Sequence, residues 1–370
     1  MIQAKWLYII KKELNLKDEE LEMSITYIKH GGNGREGSVR LPIQVTNSRV
    51  NSIEGVLHDI KVEREIEKMI VEDLPQGLKK RGDHILLQPT IEDDYIETLR
   101  LRGLKPRMNV TKKFYLVQYR IPIMKKRKEA VIPRNIIFNE VFSKQFGKWM
   151  GDRCGGSGKV GVSNTDLIFV NEFGTFLRNV LNQKDVDFYG TCRYGEKLPK
   201  SIMLTVEKVR YCKTQKGKFA YRTEVSNALL KRKIFDVCER HLFQILYNSK
   251  PSVRYAFYAG LFEAEGSLEK RAKRFSFAFG KGLNDHTVHA DLLDVYKKAI
   301  ELNVLLKKDG FHSRISRKCT YTKRSQTIKY DVDLTVSQKT RAEEVRFIKD
   351  TFFTYITHPI KIETMREVFP

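Results

Sequence analysis

Cysteine is scarce in this chain: five in 370 residues, an odd number, with no C-x-x-C pair. Cys154, Cys192, Cys212, Cys238 and Cys319 therefore read as reduced thiols of a cytosolic protein, which excludes a disulfide framework and a cysteine zinc site. Long apolar runs are also lacking. The start holds only the short stretch Trp6–Ile10 between lysines, so neither a signal peptide nor a bilayer-spanning segment is expected. Residue 1 is not a Cys or Ser nucleophile and the last residues are Val368-Phe369-Pro370 rather than His-Asn, which argues against an intein. Gly155-Gly156-Ser157-Gly158-Lys159 lacks the first Gly and the Ser/Thr of a Walker A loop, and reads as a turn. Asp285, His286 and His289 mimic a metal cluster, but Asn284-Asp285 fits a helix start better. Gly31-Gly32-Asn33-Gly34 is a loop without a strand-turn-helix context.

Acidic residues are in deficit: 45 Asp and Glu stand against 68 Lys and Arg, for a net charge of +23. Such a balance favours phosphate-rich partners, since each cation at a backbone phosphate releases a counterion. The excess is spread along the chain, so charge alone does not separate a nucleic-acid enzyme from a basic housekeeping protein. The 41% hydrophobic content suffices for two or three cores.

What is present is a repeated helix. In Tyr258-Ala259-Gly260-Leu261-Phe262-Glu263-Ala264-Glu265-Gly266, Ala256, Gly260 and Ala264 recur every four residues. Placing Glu265 over Asp152 sets them over Ser143, Gly147 and Gly151. Each set forms one narrow helical stripe with a carboxylate just past its end. Two such helices can pack backbone to backbone and deliver two acids side by side.

The spacing continues beyond the motifs. After a helix over 137–152 come a strand at Lys159–Asn164, a helix at Asp166–Leu181, and strands at Val186–Tyr194, Ile202–Cys212 and Lys218–Glu224. A closing helix spans Asn227–Leu246. The second copy has a helix over 252–265, a strand at Arg274–Lys281, a helix at His286–Leu302, strands at Phe311–Cys319 and Thr327–Thr335, and a helix at Arg341–Tyr355. Val225-Ser226 and Val336-Ser337 open the closing helix at matching places. Upstream, residues 1–30 read as two helices, Gly31–Gly37 as a loop and Ser38–Thr46 as a strand. Helical spacing at Asn51–Val71 stops at Pro75-Gln76-Gly77; a helix at Tyr95–Leu104 and a strand at Lys113–Met124 follow. The Lys-rich segment Lys125–Pro133 is the expected linker.

Gly260-Leu261-Phe262-Glu263-Ala264-Glu265-Gly266 resembles the second signature of the LAGLIDADG homing endonucleases, and Phe146-Gly147-Lys148-Trp149-Met150-Gly151-Asp152 the first. The resemblance covers roughly residues 137–360. Glu265 stands where Asp is commoner, a mild change, and Arg153 stands where Gly is usual, which is expected to disturb the turn aiming the carboxylate. The resemblance implies an α+β fold of tandem duplicated αββαββα units with pseudo-twofold symmetry and antiparallel DNA-binding sheets. The units would be 137–250 and 251–370, after a separate α+β N-terminal domain, 1–136, whose fold is unknown.

It further implies a monomeric, nucleoid-associated endonuclease that hydrolyses double-stranded DNA with Mg2+, for which Mn2+ can substitute. Asp152 and Glu265 would hold metal with the carbonyls of Gly151 and Ala264, and Lys339 would be the catalytic lysine that stabilises developing charge at the phosphate, its counterpart in the first copy being Ala228. Candidate DNA contacts in the first copy are Lys159, Arg193, Lys208, Arg210, Lys213, Lys218 and Arg222. In the second they are Lys270, Arg271, Lys273, Arg274, Lys281, Arg314, Arg317, Lys318, Lys323, Arg324 and Lys329. Thr327–Thr335 alternates as a groove-lying strand should, with Ile328, Tyr330, Val332 and Leu334 on one face and Lys329, Asp331 and Asp333 on the other. The alternatives are an intron RNA maturase, which uses the same saddle without the acids, and a non-cleaving DNA-binding regulator. Lys79-Lys80-Arg81 and Lys125–Lys128 suggest that the extension also contacts DNA.

Overall fold

A computed structural model describes residues 37–38, 74–91, 93–121, 126–156, 158–196, 205–206, 208–212, 219–269, 274–283, 289–322, 325–334 and 341–368. The expected helices of 1–30 and 51–71 lie outside these residues, as does most of the glycine loop and strand between them. The chain is a mixed α+β protein with several small, mainly antiparallel sheets. Two compact units divide it, one of Asp73–Gly266 with Val345–Pro370, the other of Met1–Glu72 with Ser267–Glu344. The first division along the chain falls at 72/73.

The elements in chain order begin with β1 (Gly37–Ser38), β2 (Leu78–Arg81), β3 (His84–Leu87), α1 (Asp93–Leu101), β4 (Arg107–Val110), β5 (Phe114–Ile121), β6 (Lys126–Pro133) and β7 (Ile136–Phe138). They continue with α2 (Glu140–Asp152), β8 (Lys159–Asn164), α3 (Leu167–Asn179), β9 (Val186–Arg193), β10 (Val209–Cys212) and β11 (Phe219–Ser226). After α4 (Ala228–Leu230), a π turn (Lys231–Phe235), α5 (Asp236–Arg240) and α6 (Leu242–Tyr247) comes α7 (Pro251–Glu265). The remainder is β12 (Gly266–Glu269), β13 (Arg274–Leu283), α8 (His289–Lys308), β14 (Ser313–Thr322), β15 (Ser325–Leu334), α9 (Arg341–Asp350), a 3-10 turn (Phe352–Tyr355) and α10 (Pro359–Val368).

In the larger unit, β3 alternates Ile85 and Leu87 into the core and joins β2 to β7. Its partner Phe138 lies two residues before α2, so this small sheet anchors the start of the acid-bearing helix. The expected linker is instead a strand. Lys126–Pro133 pairs with β5 along its whole length, because its apolar half, Ala130, Val131 and Ile132, is buried whatever the charge of the lysine half. The Val131 carbonyl accepts from Gln183 Nε2 at 3.1 Å and from Asn227 Nδ2 at 3.0 Å, tying it to later elements.

The four-stranded sheet runs β10-β9-β11-β8, antiparallel except for the β10–β9 pair. Of the expected strand over Ile202–Cys212, Val209–Cys212 form β10, while the described residues 205, 206 and 208 are not strand. Helix α3 starts on Asp166, whose side chain accepts from the Ile168 amide, and buries Phe169, Val170, Phe173, Phe176 and Leu177. One helix was expected over Asn227–Leu246. Asn227 does cap it, but the π turn and a break at His241 divide it. Between α2 and α3 there is one strand, where an αββαββα unit has two. Gly155, at φ +105°, folds the chain back so that Arg153 merely bridges Val162.

In the other unit the sheet order is β1-β14-β15-β13-β12. Phe275, Phe277, Val332 and Leu334 are buried as the alternation predicts. The opposite face of β15 differs from expectation: Asp331 and Asp333 are buried too, and Asp333 takes Arg274 Nη1 at 3.3 Å. On β15 the alternation is thus right for the apolar face and wrong for the charged one.

Candidate active site at the crossing of two helices

The glycine stripes bring α2 and α7 into backbone contact. A Cβ added at Gly147 would lie 2.5 Å from the Phe257 carbonyl oxygen and 2.7 Å from the Leu261 amide nitrogen. One added at Gly260 would run into the Lys144 carbonyl. Ser143 Oγ donates to the Val253 carbonyl at 2.7 Å, so the third small position also closes the crossing. Only residues without a side chain allow this approach.

At the C-terminal ends the two carboxylates become neighbours. Gly151 lies so close to the other helix that a Cβ there would sit 2.8 Å from Glu265 Cγ. Asn164, at the end of β8, donates from Nδ2 to Asp152 Oδ2 at 2.5 Å, and its own Oδ1 accepts the Asp166 amide at 2.8 Å. Burial pushes the Asp152 carboxyl up to about 7, and repulsion from Glu265 adds to this; the Asn164 bond and Lys361 pull the other way. Glu265 is exposed.

Arg153 does not disturb the turn. It leaves α2 at φ −58°, ψ 136°, and Gly266 leaves α7 at φ −75°, ψ 149°. Both are extended conformations open to any residue. The Arg153 side chain turns away to Glu239 at 2.8 Å and lies 5.5 Å from the Trp149 ring centroid.

Lys361, which the motifs did not signal, completes the site. From the first turn of α10 its ammonium donates to the carbonyls of Phe262 and of Gly266, the latter at 2.6 Å. These oxygens mark the negative end of α7. Burial lowers its pKa to about 8, opposed by attraction to Glu263, Asp152 and Glu265. The acid pair thus has a tethered cation beside it.

Behind the acids lies a buried charge cluster. Glu263 and Lys148 are both fully buried side chains, 3.0 Å apart. Lys148 Nζ also reaches Glu172 at 2.7 Å, and Lys144 bridges Glu172 and Thr357 Oγ1. Glu263 Oε1 accepts from the Thr357 amide and hydroxyl and from the His358 amide at 3.1 Å. Burial would raise the Glu172 carboxyl, but Lys148 and Lys144 hold it down at about 2. The cluster fixes the 357–358 segment against α7 and so aims Lys361. A sequence signal existed: Lys144 and Lys148 sit one turn apart inside an apolar helix.

The basic candidates divide. Arg193 and Lys208 are exposed at β9 and beside β10. Lys159, Arg210 and Arg222 converge on the buried Glu224, at 2.5, 3.5 and 3.0 Å. Arg210 also lies 3.9 Å from the Tyr189 ring centroid. Arg274 and Arg314 both face Asp333, the latter at 3.9 Å. Lys281, Arg317, Lys318 and Lys329 lie on β13, β14 and β15, their side chains outside the described set. Lys213, Lys218, Lys270, Arg271, Lys273, Lys323, Arg324 and Lys339 lie outside the described residues, as do Asp285 and His286.

Among the described residues, no group of three or more His, Cys, Asp or Glu could hold a metal ion, and no helix is long and apolar enough to cross a membrane. The donors at the helix ends are two carboxylates with nearby carbonyls, a hard oxygen set of the kind that suits Mg2+. No protein-family model and no curated protein matches the chain.

Proposed function

We propose that the chain is a metal-dependent, site-specific endonuclease of double-stranded DNA with the LAGLIDADG architecture. The observation that carries this reading is the glycine-mediated crossing that makes Asp152 and Glu265 neighbours at matching helix ends. Strand order supports a duplicated unit: β9-β11-β8 and β14-β15-β13 run antiparallel in the same sequence relation to their helices. The net charge of +23 supports a polyanionic substrate.

Asp152 and Glu265, with the carbonyls of Gly151 and Ala264, would hold Mg2+. Bound there, the ion would polarise a phosphoryl oxygen and lower the pKa of water. Asn164 holds one oxygen of Asp152 and leaves the other to face the ligand. Lys361 would supply a positive charge where negative charge builds on the phosphate, a role that the resemblance gives to Lys339. The exposed Arg193 and Lys208 would contact phosphate; Lys159, Arg210 and Arg222 instead shape the sheet through Glu224.

Cleavage of DNA from the gene's own locus, rejoined without the insertion, tests this. Asp152→Asn and Glu265→Gln should each lower cleavage by more than the roughly 10–100-fold that loss of a supporting residue costs, with DNA binding retained. Tight specific binding without cleavage in Mg2+ or Mn2+ would leave a regulator, and preference for intron RNA a maturase.

A further inference from the structure

A second concave site lies well away from the motif helices in sequence, between the 73–98 segment and the helical stretch after Asn227. It is a cavity of about 840 Å³. One wall is Leu87, Pro89 and Thr90 with Tyr95 of α1; the other is the helical stretch from Leu229 to Arg240. That size falls within the range of small-molecule sites.

The helical wall is amphipathic in an unusual sense. Leu230, Ile234, Phe235 and Cys238 are fully buried in the core. Arg232, Lys233, Val237 and Arg240 recur at helical spacing and line the cavity, as does Leu229, which is itself buried. The stretch includes the π turn Lys231–Phe235, a feature frequent at functional sites.

Charge on the lining is one-sided. Its acid, Asp236, is already held by Lys231 at 2.6 Å. Arg232 and Arg240 are exposed, and neither has a carboxylate partner among the described residues. Arg240 makes only a 3.3 Å bond to the Asp236 carbonyl. Both arginines line the cavity. Unpaired arginines around a concavity favour an anion with several acceptor oxygens, because the guanidinium fork matches phosphate. Of the apolar lining, Leu87, Pro89 and Leu229 are buried, so the half-buried Tyr95 and Val237 are the surfaces open to a planar ring. Burial pushes the Tyr95 phenol up to about 12, despite the attraction of Arg232, so it remains an O–H donor.

We propose that this cavity binds a nucleoside phosphate, its phosphoryl oxygens on Arg232 and Arg240 and its base against Tyr95 and Val237. The site is independent of the acid pair and of the nuclease reading. Its ligand is a free nucleotide or the 5′-phosphorylated end of a strand, two sources with one chemistry.

Titration of the full chain separates the cases, with ATP, adenosine, and a short oligonucleotide carrying either a 5′-phosphate or a 5′-hydroxyl. Saturable ATP binding at least tenfold tighter than adenosine identifies a free nucleotide. Tenfold preference for the 5′-phosphorylated strand, with no ATP binding, identifies a strand end. Either supports the site. Arg232→Ala with Arg240→Ala should abolish the preference, the paired lysine substitutions should retain part of it, and Asp152→Asn should not change it. Equal affinity with and without phosphate, or an arginine-to-alanine variant with unchanged preference and unchanged melting temperature, would overturn the proposal.

Discussion

Asp152 illustrates how much one position asks of its surroundings. Its carboxyl is raised to about 7, so folding favours the protonated form. The stability it contributes is therefore full below the ordinary carboxylate pKa near 4 and is lost as pH rises through about 7. Metal-free protein should lose stability over that window, and Asp152→Asn should flatten the dependence; denaturation followed from pH 4 to 8 checks this. Lys361→Met removes an attraction that lowers the Asp152 pKa, so the loss of stability should begin at the same pH and extend to higher pH. At the neighbouring cluster, Lys148→Met leaves Glu263 buried without its 3.0 Å partner. A cost of about 3–5 kcal/mol is expected, and adding Glu263→Met should recover part of it in urea titrations. None of Asn164, Lys148, Glu263 or Lys361 was nominated from the sequence. A polar residue in an apolar helix shows that some partner exists, but its identity is set by other elements of the fold, as Glu172 of α3 and Glu263 of α7 are for Lys148.

At the scale of elements, the helix crossing depends on glycine more than on any apolar contact. Gly147→Ala should overpack the crossing by about 1–3 kcal/mol and drive the acids apart. Gly156→Ala is the control, since nothing lies within 4 Å of a Cβ there. The loss of stability should appear only in the first, with Mg2+-dependent cleavage falling alongside. Elements with strong periodicity were legible: Lys159–Asn164 was expected and found, and α3, β9 and α7 fall within a few residues of expectation. Errors arose where composition masked pairing. Lys125–Pro133 carries linker chemistry, yet β5 offers it a full register of partners. Asp331 and Asp333 alternate as solvent residues should, yet arginine and burial claim them.

For the whole molecule, the consequence lies in the 73–136 segment. Ile85, Leu87, Val117, Ile132 and Ile136 are all buried, and Ile85 pairs with Phe138 just ahead of the acid-bearing α2. Removal of residues 1–136 should therefore unfold the larger unit instead of yielding a smaller nuclease. Soluble yield and the cooperativity of thermal unfolding check this; a truncated chain that melts cooperatively at the full-length temperature would show that the segment is dispensable. The sequence by itself determined the repeated small-residue stripe, the two carboxylates at its ends and the strong positive charge, because these are periodic or compositional properties that need no partner to be read. Tertiary structure alone decided which cations stand free, which are neutralised by Glu224 and Asp333, and that Lys361 meets the acid pair, because pairing and burial depend on residues brought together only when the chain folds.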